Sequence, residues 1–199
     1  MKKTKIVIDE ERKLRNITDY VFDCTSRLYE HADLLLYLGK HKDDFVEPVS
    51  KNSMSIIVSI FDVYSRDAII MLNILIDKDD RTSSLTTLVN HVTDPKKHKR
   101  YLARLKKLKA ELNGLVQARA NQVAHFNTHN NIHENGFMQV NQIIQLDPRY
   151  LKRITKKIEN LMFDLKEELS IDGAFIFHKG ERLAHSFARL IGKPIKLKP

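Results

Sequence analysis

Residues 147–169 read DPRYLKRITKKIENLMFDLKEEL. Leu151, Ile154, Ile158, Leu161, Leu165 and Leu169 recur at steps of three and four, which on a helix of 3.6 residues per turn makes one apolar stripe. Asp147 can accept the N–H groups orphaned at a helix start, and Pro148 suits the first helical position, where no donor is needed. The same start signal recurs at Asp94 and Pro95, ahead of a stripe formed by Tyr101, Leu105, Leu108, Leu112 and Leu115. Lys96, Lys97, Arg100, Arg104, Lys106 and Lys107 run around the other side of that segment.

Upstream the pattern is also helical. Ile17, Val21, Cys24, Leu28 and Leu35 predict one long amphipathic helix from about Ile8 to Leu38, with Gly39 placed to stop it. Pro48 and Ser50 precede a second helix, about Ser53 to Asp77, whose stripe Ile57, Phe61, Tyr64, Ala68, Met71 and Leu75 is flanked by further isoleucines and should be buried on most sides. KDDRTSS, residues 78–84, is a polar turn in which Ser83 or Ser84 can cap a short helix through about Val89. Residues 127–136, NTHNNIHENG, suit a loop, and after Gly180 a final helix carries Leu183, Phe187 and Leu190. The expectation is an all-α chain forming a single domain over residues 1–199, with 173–199 as a C-terminal extension.

At 199 residues, 42% hydrophobic and 30% charged, the chain can build a substantial core. The longest apolar candidate, Ile56 to Ile76, is interrupted by Asp62, Arg66 and Asp67, so no membrane span is expected. The N-terminus lacks the apolar stretch of a secretory signal, which predicts a cytoplasmic protein. The single cysteine, Cys24, excludes an internal disulfide and a multi-cysteine zinc site, and its helical spacing with Val21 and Leu28 predicts a small buried residue. Thirty-four Lys and Arg against 25 acids leave a net charge of +9. Such a surface attracts polyanions, nucleic acid foremost, although solubility accounts for it equally well.

Four residues past Leu115, the apolar stripe lands on Arg119, in the stretch ARANQVAHFN, residues 118–127. A buried guanidinium without a partner would cost several kcal/mol, so the position has to be partly wet or face a polar cavity. His125 lies six residues on, which along a regular helix is about 9 Å further and on a different face. The two therefore suit a cleft to which two helices, or two protomers, contribute.

The segment from Arg119 to His125, with Val123 and Ala124 before the histidine, resembles the arginine–histidine signature of the HEPN superfamily. The stretch FDVYSRDAIIMLNILIDKDDRTSSLTTLVNHV, residues 61–92, is similar to the segment ahead of that signature in the abortive-infection AbiU-like branch. The resemblance covers about residues 10–170. It implies a HEPN-like bundle of four to five main helices plus short helices, dimeric, with the Arg119 and His125 of both protomers lining a shared cleft. It implies a metal-independent endoribonuclease of phage abortive infection or a toxin of a toxin–antitoxin pair. RNA is then the substrate, an antitoxin protein a partner, and no cofactor is needed. The alternative is a non-catalytic module of the same fold that binds nucleotide, RNA or protein.

Those residue types suit the chemistry. A histidine titrates near neutrality and can exchange a proton with a ribose 2′-hydroxyl or a leaving oxygen, while a planar guanidinium can hold phosphate in two places. Asn121, Gln122 and Asn127 are the adjacent polar candidates for substrate binding, joined by Asp62 and Arg66 from the second helix. Two departures from the family pattern stand out. Ala120 follows the arginine where a polar residue is common, and Asn127 stands where some members carry a tyrosine that an antitoxin modifies.

Other polar features have plainer readings. His125, His129 and His133 are spaced for a metal on one helix, but Asn130, Asn131, Asn135 and Gly136 argue against a continuous helix, and no metal is expected. Asp62 and Arg66, in a polar line with Ser59 and Asn73, read first as a buried i, i+4 ion pair and second as a phosphate contact. His31, on the first helix's apolar stripe, reads as a hydrogen-bonded core histidine.

Overall fold

A computed structural model describes residues 2–41, 51–118 and 146–172. The described residues are helical, with short connections and no strand. The helices are α1 (Lys2–Lys40), α2 (Lys51–Leu75), the short α3 (Leu85–Asn90), α4 (Pro95–Ala118) and α5 (Pro148–Glu168).

The polar pairs between helices give the bundle its directions. Tyr29 and Asp33 of α1 meet Glu159 and Lys152 of α5, so those helices are antiparallel. Lys97, Arg104 and Glu111 of α4 meet Glu168, Asp164 and Lys157 of α5, again antiparallel. Asp67 near the middle of α2 meets Arg27 and His31, while Phe61, earlier in α2, lies beside Gly39 near the end of α1. The four long helices thus run up, down, up, down, with α1 and α4 diagonal to one another and α2 and α5 between them. The C-terminal ends of α1 and α4 share one end of the bundle with the N-terminus of α5.

One large core fills most of the interior, with Leu34 and Leu38 of α1 in a smaller cluster beside Ile60 and Phe61. Val21, Leu28 and Leu35 of α1, Ile69, Leu72 and Leu75 of α2, Leu105 and Leu112 of α4, and Leu151, Ile154 and Ile158 of α5 are all buried in the large core. α3 contributes Leu85, Leu88 and Val89, closing the base against α1, α4 and α5. Three buried threonines satisfy their hydroxyls by bonding the carbonyl four residues back: Thr18 to Leu14, Thr25 to Val21 and Thr155 to Leu151.

The start signals act as their chemistry dictates. Asp94 Oδ1 accepts the N–H groups of Lys96 and Lys97 at 2.8 and 3.1 Å, Asp147 accepts that of Arg149 at 2.9 Å, and Ser84 accepts that of Thr87. Cys24 is buried as its spacing implies, which pushes its thiol pKa up. Three expectations change. α1 begins earlier than Ile8 and runs through Gly39, the His41 N–H bonding Tyr37 O at 3.0 Å, because nothing there requires a left-handed glycine. α2 ends at Leu75, and the Asp77 carboxylate instead folds the following turn by accepting from the Asp79 N–H. α2 is also less enclosed than its isoleucines suggest: Val63 is 60% exposed, and Ile60, Ile70 and Ile74 are half-buried. The expected loop at 127–136 and the helix after Gly180 lie outside the described residues.

α5 ends without glycine. The Ile171 N–H bonds Lys166 O at 3.0 Å and the Ser170 N–H bonds Glu167 O at 3.1 Å, the paired bonds of a Schellman closure, which drives Ser170 to φ 50°. A side chain in this left-handed region is strained, so Ser170→Gly is expected to raise stability by about 0.5–1 kcal/mol. Asp147→Ala, which removes the cap at the other end of α5, is expected to lower it by about 1 kcal/mol. Urea denaturation of the two variants checks both signs.

Candidate functional site

The end of the bundle where α1 finishes and α5 begins borders the stretch of α2 that carries Asp62 and Arg66. α4 is described as far as Ala118, and Arg119 is the next residue in the sequence. Arg119, Asn121, Gln122, His125 and Asn127, together with His129 and His133, lie outside the described residues. The chain returns at Leu146, whose N–H bonds the buried Ser65 Oγ of α2 at 3.2 Å, next in sequence to Arg66. A cavity of about 510 Å³ at this end lies between Leu35, Gly39 and Lys40 of α1, Phe61 of α2, and Pro148 and Arg149 of α5.

Asp62 and Arg66 pair as their spacing predicts, with Arg66 Nε 2.7 Å from Asp62 Oδ2. The pair is not buried, since the two side chains are 24% and 30% exposed. The physical reason is its position on the outward shoulder of α2, beside the exposed Val63. Both residues also interact beyond the pair, so neither is spent on the other alone. Asn73 drops out of the polar line: it is buried, and its amide donates to Ile69 O of its own helix at 2.7 Å. Ser59, at the other end of that line, is exposed.

The adjacent residue Asp67 does something the sequence pattern did not reveal. One step along a helix turns a side chain by about 100°, so Asp67 faces α1 while Arg66 faces away from it. Asp67 Oδ2 lies 2.7 Å from His31 Nε2 and 3.1 Å from Arg27 Nη2. A carboxylate only accepts, so His31 Nε2 carries the proton and Nδ1 keeps a lone pair. That Nδ1 is buried and has no hydrogen-bond partner among the described residues. The Tyr64 ring stands edge-on to the imidazole at 4.7 Å. Burial pushes the His31 pKa below its ordinary value, outweighing the upward pull of the Asp67 hydrogen bond. At 5% exposed, His31 presents no face to a substrate; it fixes α1 against α2, as a hydrogen-bonded core histidine should. The cue available in the sequence was Arg27 and His31 one helical turn apart, but their partner 36 residues away could not be read from spacing.

On the opposite flank, Tyr29 donates to the buried Glu159 at 2.8 Å, and Lys156 lies 2.5 Å from the same carboxylate. Burial and this carboxylate together raise the Tyr29 pKa. The Tyr29 bond ties α1 to α5. Among the described residues, no three histidines, cysteines or acids cluster in a way that could hold a metal ion, and no helix is long and apolar enough to cross a membrane. Comparison with family models, with curated proteins and with solved structures finds no match.

Two measurements bear on these groups. His31 binds fewer protons in the folded chain than in the unfolded one, so its contribution to stability is complete above its ordinary pKa near 6.5 and is lost as pH falls below it. Denaturation midpoints of the wild type are expected to drop over that acidic window more steeply than those of His31→Gln. For Asp62 and Arg66, a double-mutant cycle should return a coupling of no more than about 1 kcal/mol, because solvent screens a partly exposed pair.

Proposed function

We propose that the protein is a metal-independent endoribonuclease of the HEPN type, acting in phage abortive infection or as the toxin of a toxin–antitoxin pair. The observation that carries this reading is the order Arg119-Ala-Asn-Gln-Val-Ala-His125, which follows the described part of α4 in the sequence. The all-helical arrangement and the excess of positive charge agree with it.

In this reading two copies pair so that both sets of Arg119 and His125 line one groove. One imidazole takes the proton of a ribose 2′-hydroxyl as its oxygen attacks the neighbouring phosphorus. The bond from phosphorus to the 5′-oxygen breaks, and that oxygen receives a proton from an imidazolium. The products are a strand ending in a cyclic 2′,3′-phosphate and one beginning with a 5′-hydroxyl. Arg119 offsets the charge that gathers on the phosphorane oxygens. Asn121, Gln122 and Asn127 hold the strand, and Arg66, kept in place by Asp62, adds a phosphate contact from α2. A protein antitoxin would silence the toxin by covering the groove.

The test is cleavage of cellular RNA in the presence of EDTA. Wild-type protein is expected to cut, with His125→Ala and Arg119→Ala each slowed at least ~100-fold, the scale of a missing general acid–base or a missing charge stabiliser. Arg66→Ala should be slowed less, about tenfold, chiefly through KM. Wild-type protein inert in this assay and harmless on expression in several hosts would sink the nuclease and leave a binding module.

A further inference from the structure

α4 and α5 carry fourteen of the Lys and Arg residues against five acids, a surplus equal to the net charge of the entire chain. The remaining segments together are neutral. These two helices lie side by side and antiparallel, so among the described residues the positive surplus is concentrated on one flank of the bundle.

Within that flank four of the five acids are engaged by particular bases, and the exposed Glu167 is in no ion pair among the described residues. Asp164 is held by Arg104, Glu168 by Lys97, Glu111 by Lys157 and Glu159 by Lys156. Lys96, Lys99, Arg100, Lys106 and Lys107 are all exposed on α4, and none of them is in an ion pair among the described residues. Arg153, exposed on α5, lies over the Tyr150 ring at 5.3 Å with its charge unneutralised by any described acid.

The seam between the two helices is a groove of about 230 Å³. Arg104 and Lys107 stand on one side, Lys157 and the Asn160 amide on the other, and the buried Leu108 and Leu161 form the floor. Arg100 precedes Lys107 by seven residues, which keeps both on the same side of α4 and sets them about 10 Å apart along its axis. On α5, Arg153 lies one turn before Lys157, on the same side. Arg100 and Arg153 therefore carry the line of cations one turn past either end of the groove, and the Arg104 and Lys157 bridges hold its walls together without cancelling the surplus.

We infer that the α4–α5 groove is a docking surface for the phosphodiester backbone of an RNA strand, with Arg100, Lys107 and Arg153 making the phosphate contacts. The choice of RNA over DNA rests on the nuclease reading above. The groove runs along α4 toward Ala118, the last described residue of that helix.

The experiment is fluorescence anisotropy of a labelled, unstructured RNA oligonucleotide with the full chain carrying His125→Ala, so that the probe stays whole. Adding Arg100→Gln, Lys107→Gln and Arg153→Gln together is expected to weaken binding at least tenfold at moderate salt. It should also flatten the slope of log K against log salt by about 2, roughly 0.7 for each phosphate of a single strand that is no longer neutralised. Removing the same charge elsewhere, with Arg12→Gln, Lys13→Gln and Arg15→Gln on α1, should change affinity less than threefold. Lys107→Gln alone, at an exposed position outside the ion pairs, should cost about threefold and guards against misfolding of the triple variant.

Equal weakening by the two triple variants, or an unchanged salt slope in the first, would overturn the surface. Tighter binding of the matching DNA oligonucleotide, or equal competition by polyglutamate, would overturn its assignment to RNA. The two readings fail separately. A wild type that holds RNA through these three residues but never cuts refutes the nuclease alone, and one that cuts as fast without them as with them refutes the docking surface alone.

Discussion

The seam between α1 and α5 is the contact on which the rest of the bundle depends. A helix as polar as α5 has little reason to persist alone in water, since isolated helices are marginal and gain most of their stability from burying one face. Its leucines and isoleucines enter a single core with Val21, Leu28 and Leu35 of α1, and burial of each such side chain contributes about 1.5–3 kcal/mol. Apolar stripes slide easily, so the register needs something directional. Tyr29 on Glu159 and Lys152 on Asp33 supply it, because a one-turn slip would strand a buried carboxylate. Once α1 and α5 are fixed, α2 and α4 have only two flanks on which to pack.

Neighbouring charged residues in this fold do unlike work because a helix sends them in different directions. Arg66 and Asp67 are adjacent, yet one closes a turn with Asp62 near solvent and the other reaches across to His31 and Arg27. The first pair is partly exposed and lies on the stretch of α2 that borders the start of α5. The second is a structural tie in which burial favours the neutral imidazole. The same separation governs the lysines of α4: Lys97 is drawn to Glu168, which raises its pKa, whereas Lys107 stays exposed beside the groove. Lys109, on a more enclosed side, reaches Thr86 of α3, and burial lowers its pKa.

Much of the fold was legible because it rests on local rules. The Asp-Pro starts at 94 and 147, the Ser84 cap and the apolar stripes each depend on residues a few positions apart. The helix ends were less legible. Gly39 looked like a stop but lies within α1, and the true Schellman closure of α5 falls on Ser170, where no glycine announced it. Of the candidate site, the Asp62–Arg66 pair was readable from its one-turn spacing, whereas its exposure was not. The proposed Arg119 and His125 remain a reading of the sequence.

By itself, then, the sequence determined that this chain is helical, where its capped helices begin, and which face of each is apolar, since periodicity and capping are properties of short segments. Only the tertiary structure decided that α4 and α5 lie side by side and so concentrate the positive charge of the described residues, and that Asp67 belongs to His31 rather than to its neighbour. Those outcomes depend on which helices become neighbours, and that is set by the simultaneous burial of several stripes in one core, a constraint no single segment carries.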